Sequence, residues 1–417
     1  MIEGYFDRLP YEILQNIALM LPFSLIIQLR CLSKFWYNFV TNPKFEDLHL
    51  SRAVEKPPGY LFTRNPKYWP VKNSCYFVEQ SGDQPSASKI FDYLFDYYED
   101  GEYKTFQSSG GLMCAYSSYS GCFRIFNPHI AEEVQIPRDP KYTRSRFRCF
   151  FFGYSPSIKE YKILKVGDLH KKEENEYRHL TVVEVCTLGS DIWRELQSVP
   201  TTLYFGQHTE CQGNPFWMES DLHFFDFVSE KFHVIPGPSK LDLGHWTDDN
   251  EPCVFFKNSL ISMGETVGYV YNERLWVLED KTKGIWINRY DFSILPLFCD
   301  YAELTGTLEN GHLFGFVDCK TKVFVDDMGC TGFRITDIKF DEDVVEEPSS
   351  NIKYMTPHVR SLVSPVRIMK MGNKLNHKEK SVLDTLKLDY VKGPRYITCS
   401  STEDVNAALP DCAFKNL

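Results

Sequence analysis

The stretch that decides the fold is DRLPYEILQNIALMLPFSLIIQLRCLSKFWYNFVTNP, residues 7–43. Its first half carries an apolar residue at every fourth position, namely Leu9, Ile13, Ile17 and Leu21. This is the spacing of a helix with one apolar face. A proline lies at each end of the run, and proline suits the first turn of a helix but cannot continue one. The pattern therefore predicts a helix between the two prolines.

Two further short helices are expected in the same stretch. Leu25 and Leu29 share one side of the second helix, and Ser33 can cap a third, which the Asn-Pro pair at residues 42–43 ends. Three helices of this size cannot bury so many large apolar side chains among themselves. The pattern alone leaves two interpretations open: a helical cap packed on the main domain, or a module that docks on a partner.

The order of these landmarks resembles an F-box. The resemblance runs without a gap over residues 5–50, through the Arg-Cys-Leu-Ser run at 30–33 to the Leu-His-Leu run at 48–50. One departure is Ser24-Leu25, where many relatives have a Lys-Ser pair. The resemblance implies docking on a Skp-type adaptor, which bridges to a cullin. The adaptor-facing residues that it implies are Leu9, Pro10, Ile13, Ile17, Leu21, Pro22, Leu29 and Trp36.

Composition narrows the class of protein. A chain of 417 residues exceeds one typical core, and its 15% aromatic content favours a mainly β body. A net charge of −10 opposes binding to nucleic acid or to anionic lipid. The 13 cysteines are scattered without a C-x-x-C pair, and neither a signal peptide nor a long apolar run is present. We therefore expect a cytoplasmic or nuclear protein with no metal, no cofactor and no membrane contact.

The body repeats one theme, an aromatic or β-branched run followed by a polar turn and a strand that closes on Ile-Pro. Residues 126–137 and 225–236 are near-copies of this unit. Looser versions recur over nearly the whole body, which favours a propeller-like array of hairpins. A β-sandwich with irregular hairpins is the alternative.

The body also resembles the F-box-associated domain of plant F-box proteins, which is taken to be a Kelch-like substrate receptor. The resemblance rests on Gly110-Gly111-Leu112, Phe126-Asn127-Pro128, residues 152–163, Asp191-Ile192-Trp193-Arg194 and Leu275-Trp276. The predicted fold class is thus α+β multidomain, with a three-helix F-box followed by a mainly β, propeller-like domain. The expected segments are the F-box at 1–52, a linker with the first strands at 53–104, the β domain at 105–340, and a closing segment with a partly disordered tail at 341–417.

No catalytic pattern is visible in the sequence. It contains no phosphate-binding glycine loop, no nucleophile elbow and no paired zinc ligands. Trp193, Trp276 and Trp286 could line a binding mouth, although such residues are more often core. We expect a non-catalytic subunit of a Skp-cullin-F-box ubiquitin ligase that recruits an unknown protein substrate. The alternatives are an F-box module that acts with the adaptor without promoting degradation, and a Kelch-like catalytic propeller.

Overall fold

The computed structural model shows helices at both ends of the described chain and antiparallel sheets between them. It describes residues 9–56, 58–65, 73–81, 84–93, 106–116, 121–136, 145–173, 176–190, 192–197, 207–238, 255–256, 259–271, 274–291, 301–307, 313–317, 322–326, 333–337, 339–340 and 351–375.

The N-terminal helices are α1 Tyr11–Met20, α2 Phe23–Leu32, α3 Lys34–Val40 and α4 Pro43–Val54. Leu21 is extended, so α1 ends before the second proline as predicted. Ser33 Oγ accepts a hydrogen bond from the Trp36 amide at 3.3 Å, which confirms the predicted cap of α3.

The Asn42-Pro43 pair ends α3 and also begins a helix that the sequence did not predict. Asn42 Oδ1 accepts a hydrogen bond from the Lys44 amide at 2.9 Å, and Pro43 occupies the first turn, where its missing N–H costs nothing. The helical region therefore has four helices rather than three. Its last helix continues to Val54, past the expected boundary at residue 52.

The strands are β1 Gly59–Asn65, β2 Asn73–Ser81, β3 Gln84–Tyr93, β4 Phe106–Ser109, β5 Leu112–Tyr116, β6 Phe123–Asn127, β7 Glu132–Ile136, β8 Ser145–Ser155, β9 Glu160–Glu173, β10 Glu176–Thr187, β11 Trp193–Glu195, β12 Gln207–Cys211, β13 Asn214–Met218, β14 Leu222–Asp226, β15 Lys231–Ile235, β16 Phe255–Phe256, β17 Ser259–Met263, β18 Thr266–Tyr271, β19 Arg274–Asp280, β20 Ile285–Asp291, β21 Tyr301–Thr307, β22 Leu313–Val317, β23 Lys322–Asp326, β24 Phe333–Asp337, β25 Lys339–Phe340 and β26 Asn351–His358.

These strands form five sheets. One has the order β25-β3-β2-β1-β26, and three are simple meanders: β4 to β7, β8 to β11, and β12 to β15. The largest sheet joins two further meanders, β17 to β20 and β21 to β24, through parallel pairing of Ser262 with Gly306. Successive meanders of this kind, spread over the whole body, confirm the mainly β, propeller-like fold.

The two ends of the body meet in one sheet. Strand β26 pairs antiparallel with β1, with Leu61 opposite Thr356. The sheet array is therefore closed by the last strand of the body, as β-propellers close to protect their edges. After β26 the chain runs through residues 359–364 into helix α5, Pro365–Leu375. This helix occupies part of the expected tail, while residues 376–417 lie outside the described residues.

The two near-copies in the sequence have the same turn. In the first, Asn127 Oδ1 accepts a hydrogen bond from the His129 amide at 3.0 Å, and Ala131 has φ +57°. In the second, Asp226 Oδ1 accepts one from the Val228 amide at 2.9 Å, and Glu230 has φ +54°. The side chain thus sets an Asx turn that a left-handed residue closes four positions later. This confirms that the repeated motif encodes a repeated hairpin.

Candidate functional site

The first predicted adaptor residues form an exposed apolar stripe along α1. Leu9, Ile13 and Ile17 are 37%, 46% and 39% exposed, and Pro10 beside them is exposed as well. The opposite side of the helix carries Leu14, which is buried in the helical core. The spacing of four residues therefore separates a solvent-facing apolar stripe from an inner one.

The other four predicted residues lie elsewhere. Leu21, Leu29 and Trp36 are half-buried and pack against the helical core, and the Trp36 ring meets the Phe39 ring edge-on at 5.6 Å. Pro22 is exposed at the junction of α1 and α2. The structure thus places these residues in or beside the core of the helices rather than on the α1 stripe.

Further exposed apolar residues were missed in the sequence. Met20 is 84% exposed and follows Ile17 by three positions, so it continues the α1 stripe. Leu25 and Leu32 are exposed on one side of α2, seven positions apart. That spacing was visible in the sequence and could have identified the pair. Phe35 on α3 is also exposed.

The helical core is completed by a residue from the segment that follows β26. Its buried residues come from all four N-terminal helices and from one distant position: Leu14, Ala18, Ile26, Phe39, Val40, Phe45 and Leu362. Leu362 lies between β26 and α5, and it is 3% exposed. Leu50 of α4 packs in the opposite direction, into the core of the β body. The N-terminal helices and the body therefore share apolar packing on both sides of their boundary.

Charged contacts reinforce the same boundary. Arg367 of α5 forms an ion pair with Glu46 of α4, whose side chain is buried. Burial raises the pKa of Glu46 to about 7, although the Arg367 contact opposes this rise. Ser364 donates a hydrogen bond to Glu132, and Lys159 Nζ lies 3.1 Å from Asp47 Oδ2. These contacts fix the orientation of α4 on the body.

Two histidines lie beneath this boundary, His358 buried and His129 half-buried. His129 Nε2 and His358 Nε2 are 3.1 Å apart and share a hydrogen bond, and Ser108 Oγ lies 2.7 Å from His358 Nδ1. Burial lowers the pKa of His358 to about 3 and that of His129 well below its usual value. Both rings are neutral near pH 7, so they serve as packed hydrogen-bonding groups and carry no charge there.

A cavity of about 820 Å³ lies where the sheet array meets α4. It is lined by the turns between the first two strands of four sheets, at residues 109–110, 155–157, 212–213 and 264–265, and by α4 residues near Val54. Among the described residues that line this cavity there is no tryptophan. Trp193 instead packs against the body core, and Trp286 Nε1 donates to the Pro236 carbonyl at 2.8 Å.

Within the described ranges, no three side chains of His, Cys, Asp or Glu are grouped as a metal site requires. Among the helices in those ranges, none has the length and apolar character needed to cross a membrane.

Comparison with known proteins matches both halves of this architecture. Residues 70–325 match the family described as the F-box associated beta propeller domain, and residues 6–48 match the F-box domain. The Arabidopsis thaliana F-box protein At1g53790 is 22% identical over 72% of this chain and 68% of its own length. The Arabidopsis thaliana F-box protein At2g23160 is 23% identical over 66% of this chain and 97% of its own length.

Proposed function

Because the chain belongs to the F-box associated beta propeller family of plant F-box proteins, we propose that it is the substrate-recognition subunit of a Skp-cullin-F-box ubiquitin ligase. The F-box docks a Skp-type adaptor, the adaptor bridges to a cullin, and the β body selects a protein for ubiquitination. We place this activity in the cytoplasm, the nucleus or both.

The exposed stripe of α1 is the observation that supports the adaptor role. Leu9, Ile13, Ile17 and Met20 present large apolar side chains to solvent on one helix. Contiguous apolar patches on soluble proteins mark sites of protein association. Anchors at the centre of such an interface carry most of its binding energy, so these residues are the expected adaptor contacts. The other predicted residues, Leu21, Pro22, Leu29 and Trp36, would then support the stripe from the helical core and the helix junction.

Catalysis in this proposal comes from the assembled complex. The chain contributes proximity, because holding a substrate beside a charged conjugating enzyme raises its effective concentration. Proximity works best when the receptor is stiff. The shared core around Leu362 and the Glu46–Arg367 ion pair give the F-box a fixed position on the body.

The test is co-expression of the full chain with a plant Skp-type adaptor, followed by affinity capture and size-exclusion chromatography. The unchanged chain should elute with the adaptor at equal stoichiometry. The double variant Ile13→Asp, Ile17→Asp should lose the complex, since each anchor is worth about 2 kcal/mol or more. The matched control is Val234→Asp, which places a charge on an exposed apolar residue of β15, 56% exposed in the body.

Loss in the double variant with retention in the control, at unchanged circular dichroism, supports the adaptor face. Retention of the adaptor by the double variant would refute that face. A second capture with the cullin added separates the ligase from its alternative. A complex that holds the adaptor but excludes the cullin would indicate a binding module that does not promote ubiquitination.

A further inference from the structure

A cleft of about 510 Å³ separates the F-box from the body, and we call it the joint cleft. The F-box contributes the junction of α1 and α2 and one side of α4. The body contributes strand β2 and the residues that follow β26. Its principal lining residues are Phe23, His49, Arg52, Lys56, Phe77, Glu79 and Arg360.

The joint cleft carries a positive charge in a chain that is negative as a whole. Its lining includes Arg52, Lys56 and Arg360 but only one carboxylate, Glu79, against a net charge of −10 for the protein. Glu79 is already paired with Arg360 at 2.9 Å. Within the part of the chain that the structure describes, neither Arg52 nor Lys56 lies within 4.0 Å of a carboxylate. Two cationic groups on α4 and just beyond it are thus left facing the cleft.

The neighbouring imidazoles respond to this positive field. Burial, with a smaller effect from the Lys56 charge, lowers the pKa of His49 to about 4. On the body side, burial is also the larger cause of the low pKa of His358, and the Arg360 charge lowers that pKa as well. Only the smaller part of each shift, which the Lys56 and Arg360 charges cause, reports a positive potential, and a positive potential favours a bound anion.

The cleft also has an aromatic wall. On the F-box side the His49 ring lines the cleft, but its Nδ1 is buried away from the open space. On the other wall the Arg360 guanidinium lies over the Phe77 ring at 4.6 Å, and its carbon is 5.9 Å from the Phe23 ring centre. Planar apolar surface and a guanidinium therefore meet at the same place.

We propose that the joint cleft binds a small anion that bears a phosphate or a carboxylate. Its volume lies in the range of about 300–1,000 Å³ that is typical of small-molecule sites, and such sites occur preferentially at domain interfaces. Arg52 and Lys56 hold the anionic group from the F-box side. Arg360 and the Phe77 ring contact it from the body side. This site is distinct from the α1 stripe, and its existence does not depend on adaptor binding.

Such a ligand would tie the two halves of the protein together. It contacts α4 and the segment after β26 at once, so it binds only when the F-box sits on the body as observed. A ligand that binds the folded form alone stabilises it by mass action. The anion would therefore raise the melting temperature and hold the receptor in one orientation.

The test uses the full chain and three probes: inorganic phosphate, pyrophosphate and benzoate, each against chloride at equal ionic strength. Calorimetric titration and thermal melting should show saturable binding of at least one probe. Phosphate or pyrophosphate binding without benzoate identifies a phosphate site, and the reverse identifies an aromatic carboxylate site. The paired variants Arg52→Gln and Lys56→Gln should each weaken binding about tenfold, the loss expected when one charged hydrogen bond is removed.

The matched control is Lys283→Gln, which removes one exposed positive charge from the turn after β19, outside the cleft. Equal weakening by this control would show a general charge effect and overturn the proposal. Absence of saturable binding by all three probes would overturn it as well. Because Arg52 and Lys56 lie on the surface, their variants should fold normally, and melting without ligand checks this.

Discussion

Arg367 of helix α5 forms an ion pair with the buried carboxylate of Glu46 in helix α4, although the two residues lie 321 positions apart in the chain. The pair joins the last F-box helix to the last helix of the described chain. Thr41 extends the contact, because its carbonyl accepts a hydrogen bond from Arg367 Nη1 at 3.5 Å. These contacts hold the last F-box helix against the segment that follows the β body.

Stability should depend on pH through Glu46. Burial raises its pKa from 4.5 to about 7 in the folded chain. Between these two values the unfolded chain has lost the proton while the folded chain keeps it. The contribution of Glu46 to the free energy of unfolding therefore falls as the pH rises through this window.

The variant Glu46→Gln removes this contribution. We expect the free energy of unfolding of the unchanged chain, minus that of the variant, to fall by on the order of 2–3 kcal/mol between about pH 5 and about pH 7. Urea unfolding followed by tryptophan fluorescence measures it. Glu55→Gln, at an exposed position just after α4, is the control and should leave the difference flat. A flat difference for Glu46→Gln too would mean that the carboxylate is ionised throughout.

Leu362 should contribute as much to the stability of the F-box helices as the core residues of those helices do. Replacement by Ala removes a buried side chain from the helical core, and such changes cost about 2–5 kcal/mol. The expected result is weaker protection of α1 to α4 in hydrogen exchange, together with a lower urea midpoint. Met371→Ala, 55% exposed on α5, should change neither. Unchanged exchange of the F-box helices in Leu362→Ala would show that the helices fold without the closing segment.

Gly111 should tolerate no side chain. It has φ +75°, and a Cβ at this position would lie 2.2 Å from Ser361 Cβ in the closing segment. Gly264 provides the matched control, because it has φ +69° and open space around the position of a Cβ. Gly264→Ala should cost about 1 kcal/mol, which is the price of a left-handed alanine alone. Gly111→Ala should cost clearly more, and equal losses in chemical denaturation would contradict the tight packing.

The sequence predicted what local patterns encode. The spacing of four apolar residues in α1 predicted the first helix, and Ser33 predicted the cap of α3. The repeated polar turn predicted the hairpins of the β body. The Asn42-Pro43 pair predicted only the end of the third helix, and the fourth helix was missed because proline also fits the first turn of a helix.

The remaining features depend on contacts between distant parts of the chain. Leu362 enters the F-box core across more than 300 residues, and no periodicity near it signals this. The same holds for the joint cleft, which Arg52 and Arg360 line together because β26 returns to β1. For the adaptor residues, the helical spacing separated outer from inner positions on α1, but it could not show that Leu29 and Trp36 turn toward the core.

The two copies of the Asx turn should differ in their contribution to stability, because only one of them anchors the closing segment. Asn127 Nδ2 donates to the carbonyls of Ser361 and Val363, each at 2.9 Å, and the side chain is fully buried. Within the described residues, the hydrogen bonds of Asp226 all go to Val228 and Ser229 of its own turn. Asn127→Ala leaves buried carbonyls without donors and should lower the free energy of unfolding by roughly 3 kcal/mol, while Asp226→Ala should lower it by about 1 kcal/mol. Limited proteolysis should also cut residues 359–364 faster in Asn127→Ala alone. Equal cleavage in both variants would show that the closing segment is held by its apolar residues and not by Asn127.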